Sequence, residues 1–123
     1  MIAGIGIDLI EVARIRENID RRAFLQRTFT PAELVECEGA ANTCQRLAGK
    51  FAAKEAFMKA AGQGIRQGVW FTQIEVLATE TGAPVLTASG QASVVLSSLG
   101  IKAVHLSITH SAELAAAVVV LEH

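Results

Sequence analysis

Residues 42–64, NTCQRLAGKFAAKEAFMKAAGQG, decide how the rest of the chain must be arranged. The run predicts one long helix from Asn42 or Thr43 to Ala61, rich in alanine and phenylalanine and closed at Gly62-Gln63-Gly64. With successive residues about 100° apart, Leu47, Phe51 and Met58 fall within about 40° of one another and mark a core-facing stripe. On the same count Lys54 lies about 20° from Leu47 and Glu55 about 40° beyond Phe51, so both charges border the apolar stripe.

Working outward towards the N-terminus, residues 2–7, IAGIGI, read as a short buried strand whose glycines allow another backbone to approach closely. Asp8 then stands at the strand's end. The spacing of Ile10, Val12, Ala13, Ile15 and Ile19 predicts a helix from Leu9 to Ile19, with Asp8 and Glu11 placed to cap its start. Thr30, Pro31 and Glu33 supply the N-cap, first-turn proline and capping-box acid of a second short helix ending near Gly39.

Downstream of the long helix the pattern changes to strands. These are expected at Gln73 to Leu77 and Val85 to Thr87, separated by the turn Thr81-Gly82-Ala83-Pro84. A helix is expected over Gly90 to Leu99. Ala103 to Thr109 and Leu114 to Leu121 then read as a central hairpin.

The chain of 123 residues fits a single domain spanning 1–123, with one modest core that association with further copies would help to stabilise. A formal net charge of −1 argues against a nucleic-acid or membrane role that depends on a large basic excess. No segment is long and apolar enough to span a bilayer. The apolar start lacks a basic leader, and Asp8 interrupts it, so it does not read as a secretory signal. Cys37 and Cys44, two thiols at helical spacing, are expected to be free in a cytoplasmic protein.

Chemistry concentrates around the long helix. Between Arg46 and Arg66 the basic residues Arg46, Lys50, Lys54, Lys59 and Arg66 face a single acid, Glu55. Arg46, Lys50 and Lys54 recur every fourth position as one inclined row suited to a polyphosphate. Glycines 62, 64 and 68 offer backbone that can approach phosphates. Each feature also has a plainer reading. Glu55 and Lys59 are spaced as an ordinary helical ion pair, Asp8 as an N-cap, and the glycines as a helix stop. In the run from Val104 to His110, alternation sends Val104, Leu106 and Ile108 one way and His105, Ser107 and Thr109 the other. That polar face is either solvated or a binding face, and no metal site is implied by its histidines.

Taken in order, Gly6-Ile7-Asp8, the segment Phe51 to Ala60 with its Lys54-Glu55-x-x-x-Lys59 motif, Gly82-Ala83-Pro84 and His105 to Ser111 resemble the holo-[acyl-carrier-protein] synthases, the small 4′-phosphopantetheinyl transferases. The resemblance covers nearly the whole chain. It implies an α+β 4′-phosphopantetheinyl transferase fold, an antiparallel sheet packed against a long helix. The implied reaction moves 4′-phosphopantetheine from coenzyme A to a serine of apo acyl carrier protein in fatty acid biosynthesis, releasing adenosine 3′,5′-bisphosphate.

The resemblance also assigns roles. Asp8 and Glu55 match the family's Mg2+ ligands, a donor set that suits a hard cation retaining waters and substrate phosphates. Lys59 joins them as the third catalytic residue. Arg46, Lys54, Lys59, Gly62, Gly64, Pro84, His105, Ser107 and His110 are the implied coenzyme A contacts, and Arg14 and Arg21 the implied docking residues for an acidic carrier protein. Either a metal-bound water or Glu55 would deprotonate the serine. A homotrimer with active sites between subunits is implied as well. Larger relatives carry an acid two residues after the motif aspartate, where this chain has Ile10. Some small members carry one at the position of Ser111, and Gln63 stands where a small hydroxyl residue is usual. The alternative from another class is a non-catalytic nucleotide-binding or regulatory oligomer.

Overall fold

The computed structural model describes all residues, 1–123. In chain order it contains β1 (Ile2–Glu11), α1 (Val12–Arg16), α2 (Arg22–Thr28), α3 (Pro31–Cys37), α4 (Thr43–Ala61), two short 3₁₀ turns (Ile65–Gln67 and Phe71–Gln73), β2 (Ile74–Ala78), β3 (Pro84–Ala88), α5 (Gly90–Ser98), β4 (Ala103–His110) and β5 (Leu114–Glu122). This is the α+β arrangement expected from the sequence. A three-stranded antiparallel sheet, ordered β1-β5-β4, packs on α4, and β2 and β3 form a separate antiparallel pair.

Small residues allow the main sheet and α4 to meet closely. Gly4 and Gly6 cross the helix where a Cβ would overlap the carbonyl oxygens of Ala60 and Ala56. Ala52, Ala53 and Ala56 are fully buried. From β5, the alternate residues Ala115, Ala117, Val119 and Leu121 are buried on the helix side. One contiguous apolar cluster includes these residues together with Leu47, Phe51, Phe57, Ile74 and Val95, so the chain shares one core.

The opposite face of the main sheet is open. Ile5, Ile7 and Leu9 are 60%, 67% and 64% exposed, an apolar row no part of the chain covers. Register extends this row across β5, placing Ile5, Val120 and His105 side by side, and likewise Ile7, Val118 and Ser107.

Several local expectations change. β1 does not end at Ile7: it continues pairing with β5 as far as Glu11 opposite Leu114. Asp8 is therefore a mid-strand residue opposite Ala117, and the N-cap reading does not hold. The first helix shrinks from the expected Leu9–Ile19 to Val12–Arg16, with Glu11 before it making no side-chain cap bond. Long-range ladder bonds win here because Ile10 can be buried from the strand while Val12 and Ile15 fill the core from the helix. Helix α2 had no strong local signal: it is short, and Phe24 and Thr28, one turn apart, are its buried residues. The predicted capping box is present, with Thr30 Oγ1 accepting from Glu33 N at 3.2 Å and Glu33 Oε1 accepting from Thr30 N at 2.8 Å. Gly62 closes α4 at φ 67°, the left-handed conformation glycine adopts freely. In the C-terminal hairpin only β5 is central, and β4 is an edge.

Candidate active site

Asp8 shares the helix-facing side of β1 with Gly4, Gly6 and Ile10, and this brings it to α4 one strand position beyond the glycine contact. Lys59 Nζ reaches across from α4 and donates to Asp8 Oδ1 at 2.9 Å and to the Ile7 carbonyl at 3.0 Å. The ordinary helical pair of Glu55 with Lys59 is absent from the ion pairs of the structure. Partial burial and the neighbouring Asp8 charge push the Glu55 carboxyl above its ordinary pKa, against the opposing charges of Arg14 and Lys59. Two carboxylates from distant parts of the sequence thus face one another, and folding leaves Glu55 without a cation of its own.

These groups border an open groove of about 370 Å³ lined by Glu55, Met58, Lys59, Gly62, Gly64, Arg66 and Phe71. Gly64 N donates to Gln67 Oε1 at 2.7 Å, which organises the loop below the groove. Arg14 lies at the same end of the molecule, its guanidinium 4.9 Å from the Phe51 ring centroid. Arg21 is exposed and donates from Nη1 to Asn18 Oδ1 at 2.7 Å.

A second cavity, about 290 Å³, gathers Arg46, Pro84 and His110 with Glu36, Lys50 and Ile108. Arg46 precedes Glu55 by nine helical residues, about 14 Å along the axis, so the two groups of candidate residues do not form one continuous pocket within a chain. His105 and Ser107 point away from both, onto the exposed sheet face. There, His105 Nε2 lies 2.9 Å from Glu122 Oε1.

The basic row behaves differently from the expectation. Lys50 Nζ donates to Glu36 Oε1 at 2.6 Å and to the Val76 carbonyl. Lys54 is fully buried, donating to Glu33 Oε1 at 2.7 Å and to the Phe71 carbonyl at 2.9 Å. Burial lowers the Lys54 pKa, against the attraction of Glu33. The local charge count was misleading because α3 supplies the missing acids, Glu33 and Glu36, from outside the counted window. Lys54 is thereby withdrawn from the candidate nucleotide contacts, and only Arg46 of the row remains exposed at an open cavity. In sequence, Glu33 reads only as a cap and Arg66 only as one of a basic set, and Glu36 and Phe71 are not singled out. The acid spacing Glu33-x-x-Glu36, one helical face opposite Lys50 and Lys54, was the available signal.

Paired carboxylates beside a basic, glycine-bordered groove are suited to binding a phosphorylated substrate through a cation, and the fold carrying them is that of a transferase class. The model of the 4′-phosphopantetheinyl transferase superfamily matches residues 4–119. A holo-[acyl-carrier-protein] synthase of Koribacter versatilis is 45% identical over 99% of both chains. The crystal structure of the Neisseria meningitidis holo-[acyl-carrier-protein] synthase superposes with a TM-score of 0.89 at 40% identity, covering 100% of both chains. That of the Helicobacter pylori synthase in complex with coenzyme A gives 0.84 at 35% identity, covering 96% of this chain and 99% of the other. The chain belongs to the holo-[acyl-carrier-protein] synthases of the 4′-phosphopantetheinyl transferase superfamily.

Proposed function

We propose that this chain transfers 4′-phosphopantetheine from coenzyme A to a serine hydroxyl of an apo acyl carrier protein, giving holo carrier protein and adenosine 3′,5′-bisphosphate. Family membership and relatives solved with coenzyme A support this reading. The observation in the molecule that carries it is the juxtaposition of Asp8 with Glu55, which lines a groove together with Lys59 and Arg66.

The donor set fits a magnesium ion. Both ligands are hard carboxylate oxygens, partial burial and then the Asp8 charge raise the Glu55 pKa, and no third His, Cys, Asp or Glu gathers with them. The remaining coordination is left to water and substrate phosphate, which suits magnesium's preference for retained waters. When bound, the ion would polarise the phosphoryl oxygens of the pyrophosphate. Lys59 holds Asp8 in place and presents an ammonium group to the same oxygens, neutralising charge that grows on the leaving phosphate. Gly62 and Gly64 leave their own stretch of the groove wall as bare backbone. Glu55 is positioned to receive the serine proton directly or to hold a water that does.

Arg46, Pro84 and His110 are proposed as nucleotide contacts, and His105 and Ser107 as further contacts at the rim of the exposed sheet face. Arg14, whose charge acts on Glu55, and the exposed Arg21 are proposed to meet the acidic carrier protein. The separation of the two cavities and the uncovered row Ile5, Ile7 and Leu9 support assembly into a homotrimer, each active site joining the carboxylate groove of one subunit to the Arg46 cavity of the next.

Incubation with coenzyme A, magnesium and an apo carrier protein is expected to add the prosthetic group to the carrier, read by intact mass. Coenzyme A binding with no mass gain on any of several carriers would leave a binding protein instead. Ile7→Lys is expected to yield a folded monomer by sedimentation, with transfer largely lost; an active monomer would overturn the shared site.

A further inference from the structure

Neither residue of the buried pair Lys54–Glu33 lines either of the two cavities described above, yet Lys54 adjoins Glu55 in sequence. We propose that Lys54 is a positioning residue: held by Glu33 and the Phe71 carbonyl, it sets the rotation of α4 that turns Glu55 towards Asp8 and fixes Phe71 as the opposite wall of the groove. The inference rests on the transferase reading of that groove.

Both side chains of the pair are 0% exposed. Glu33 satisfies three donors at once: Lys54 Nζ at 2.7 Å, Thr30 N at 2.8 Å and Val76 N at 2.8 Å. Lys54 completes the junction through Phe71 O at 2.9 Å. One ion pair therefore joins α3, α4, β2 and the 3₁₀ turn that carries Phe71, a residue lining the groove with Glu55.

Why a charged pair should hold this place follows from the rest of α4. Where it crosses β1, Gly4 and Gly6 lie on Ala60 and Ala56, a surface with shallow ridges that defines a helix's rotation poorly. A buried ion pair adds little net stability over apolar residues of the same size, but its hydrogen bonds are directional. Neighbouring helical residues diverge by about 100°, so anchoring the Lys54 ammonium among three elements fixes where Glu55 emerges.

The test removes both charges together. Glu33→Gln with Lys54→Met leaves an oxygen to cap Thr30 and strands no buried charge, but Val76 N loses its acceptor, so the double variant is expected to melt cooperatively at a lower temperature than the wild type. For an anchor acting through Glu55, kcat should fall and Mn2+ binding, titrated by electron paramagnetic resonance, should weaken, each by about 10- to 100-fold, with the KM for coenzyme A little changed. Wild-type kcat and Mn2+ affinity in the double variant would overturn the proposal, as would a raised KM with kcat retained, the mark of a direct substrate contact. Should the double variant not fold, Glu33→Gln alone, in which the lysine keeps its Phe71 bond and can shed its proton rather than stay charged and unpaired, is expected to show the same split in smaller measure; unchanged kcat and Mn2+ affinity there would equally overturn it. Failure of the wild type to modify any carrier would instead remove the transferase reading, and the Mn2+ titration would still decide whether the pair positions Glu55.

Discussion

Helix α4 carries charge on two sides that folding treats in opposite ways. Towards α3, Lys50 and Lys54 each receive a carboxylate, Glu36 and Glu33, along with a backbone carbonyl. Towards β1, Glu55 receives the proximity of another carboxylate, with Lys59 given to Asp8 instead. Charges whose partners come from within the chain act as scaffold. A charge left beside its own sign raises the energy of the empty site, and a cation from solution lowers it. The side that looked most like an anion site in sequence is largely the scaffold, and the side with the fewest charges is the proposed reaction centre.

The comparison depends on β1 lying hard against α4, and Gly6→Ala removes that condition. Its new methyl group would overlap the Ala56 carbonyl, a backbone atom that cannot rotate away. No cooperative thermal transition is expected; a melting profile like the wild type's would mean that the strand can withdraw without cost.

The adjacent residues Lys54 and Glu55 separate the two sides most directly. Lys54→Met alone leaves Glu33 buried and unpaired and is expected to cost about 3–5 kcal/mol in chemical denaturation. A loss under about 1 kcal/mol would show the pair to be solvated in the native ensemble. Glu55→Gln should do the reverse: metal-free stability at neutral pH equal to or above wild type, with carrier modification abolished. Turnover near the wild-type level would remove Glu55 from the mechanism.

The smallest effect is a difference in sign with pH. Glu55, raised above its ordinary value of 4.5, favours the folded state below that value, and the benefit is lost as pH rises through its folded pKa. For Glu36, partial burial pushes the pKa up, but the hydrogen bonds from Lys50 and Ala78 N outweigh it and leave the group below 4.5. Its contribution is present above that value and is lost as pH falls through the folded pKa. Metal-free denaturation from about pH 3 to pH 7 should therefore show Glu55→Gln flattening a decline towards neutral pH, and Glu36→Gln flattening a decline below its ordinary value of 4.5. Matching slopes for the two variants would contradict the contrast. Since metal binding needs ionised Glu55, Mn2+ affinity should weaken on acidification from a pH above 4.5.

Much of the architecture was legible because its signals are local. The Thr30-Pro31-Glu33 cap, the span of α4 with its glycine stop, the alternation in β4 and the existence of β5 all emerged where expected. The reach of β1 was not legible, because pairing with residues 114–122 overrides a weak capping pattern. Helix α2 was missed because seven residues with two core anchors give too short a period to read. At the site, motif order picked out Asp8, Glu55 and Lys59, but assigned Lys54 to the ligand when Glu33 had already taken it.

The sequence by itself determined the fold class and the family, because element patterns and the order of the motifs run along the chain, and through that resemblance it named the proposed cation ligands. Tertiary structure decided which charges remain free for function. Ion pairing and desolvation depend on distances of a few ångströms between segments tens of residues apart, such as Glu33 with Lys54 and Asp8 with Glu55, and no spacing along the chain specifies them.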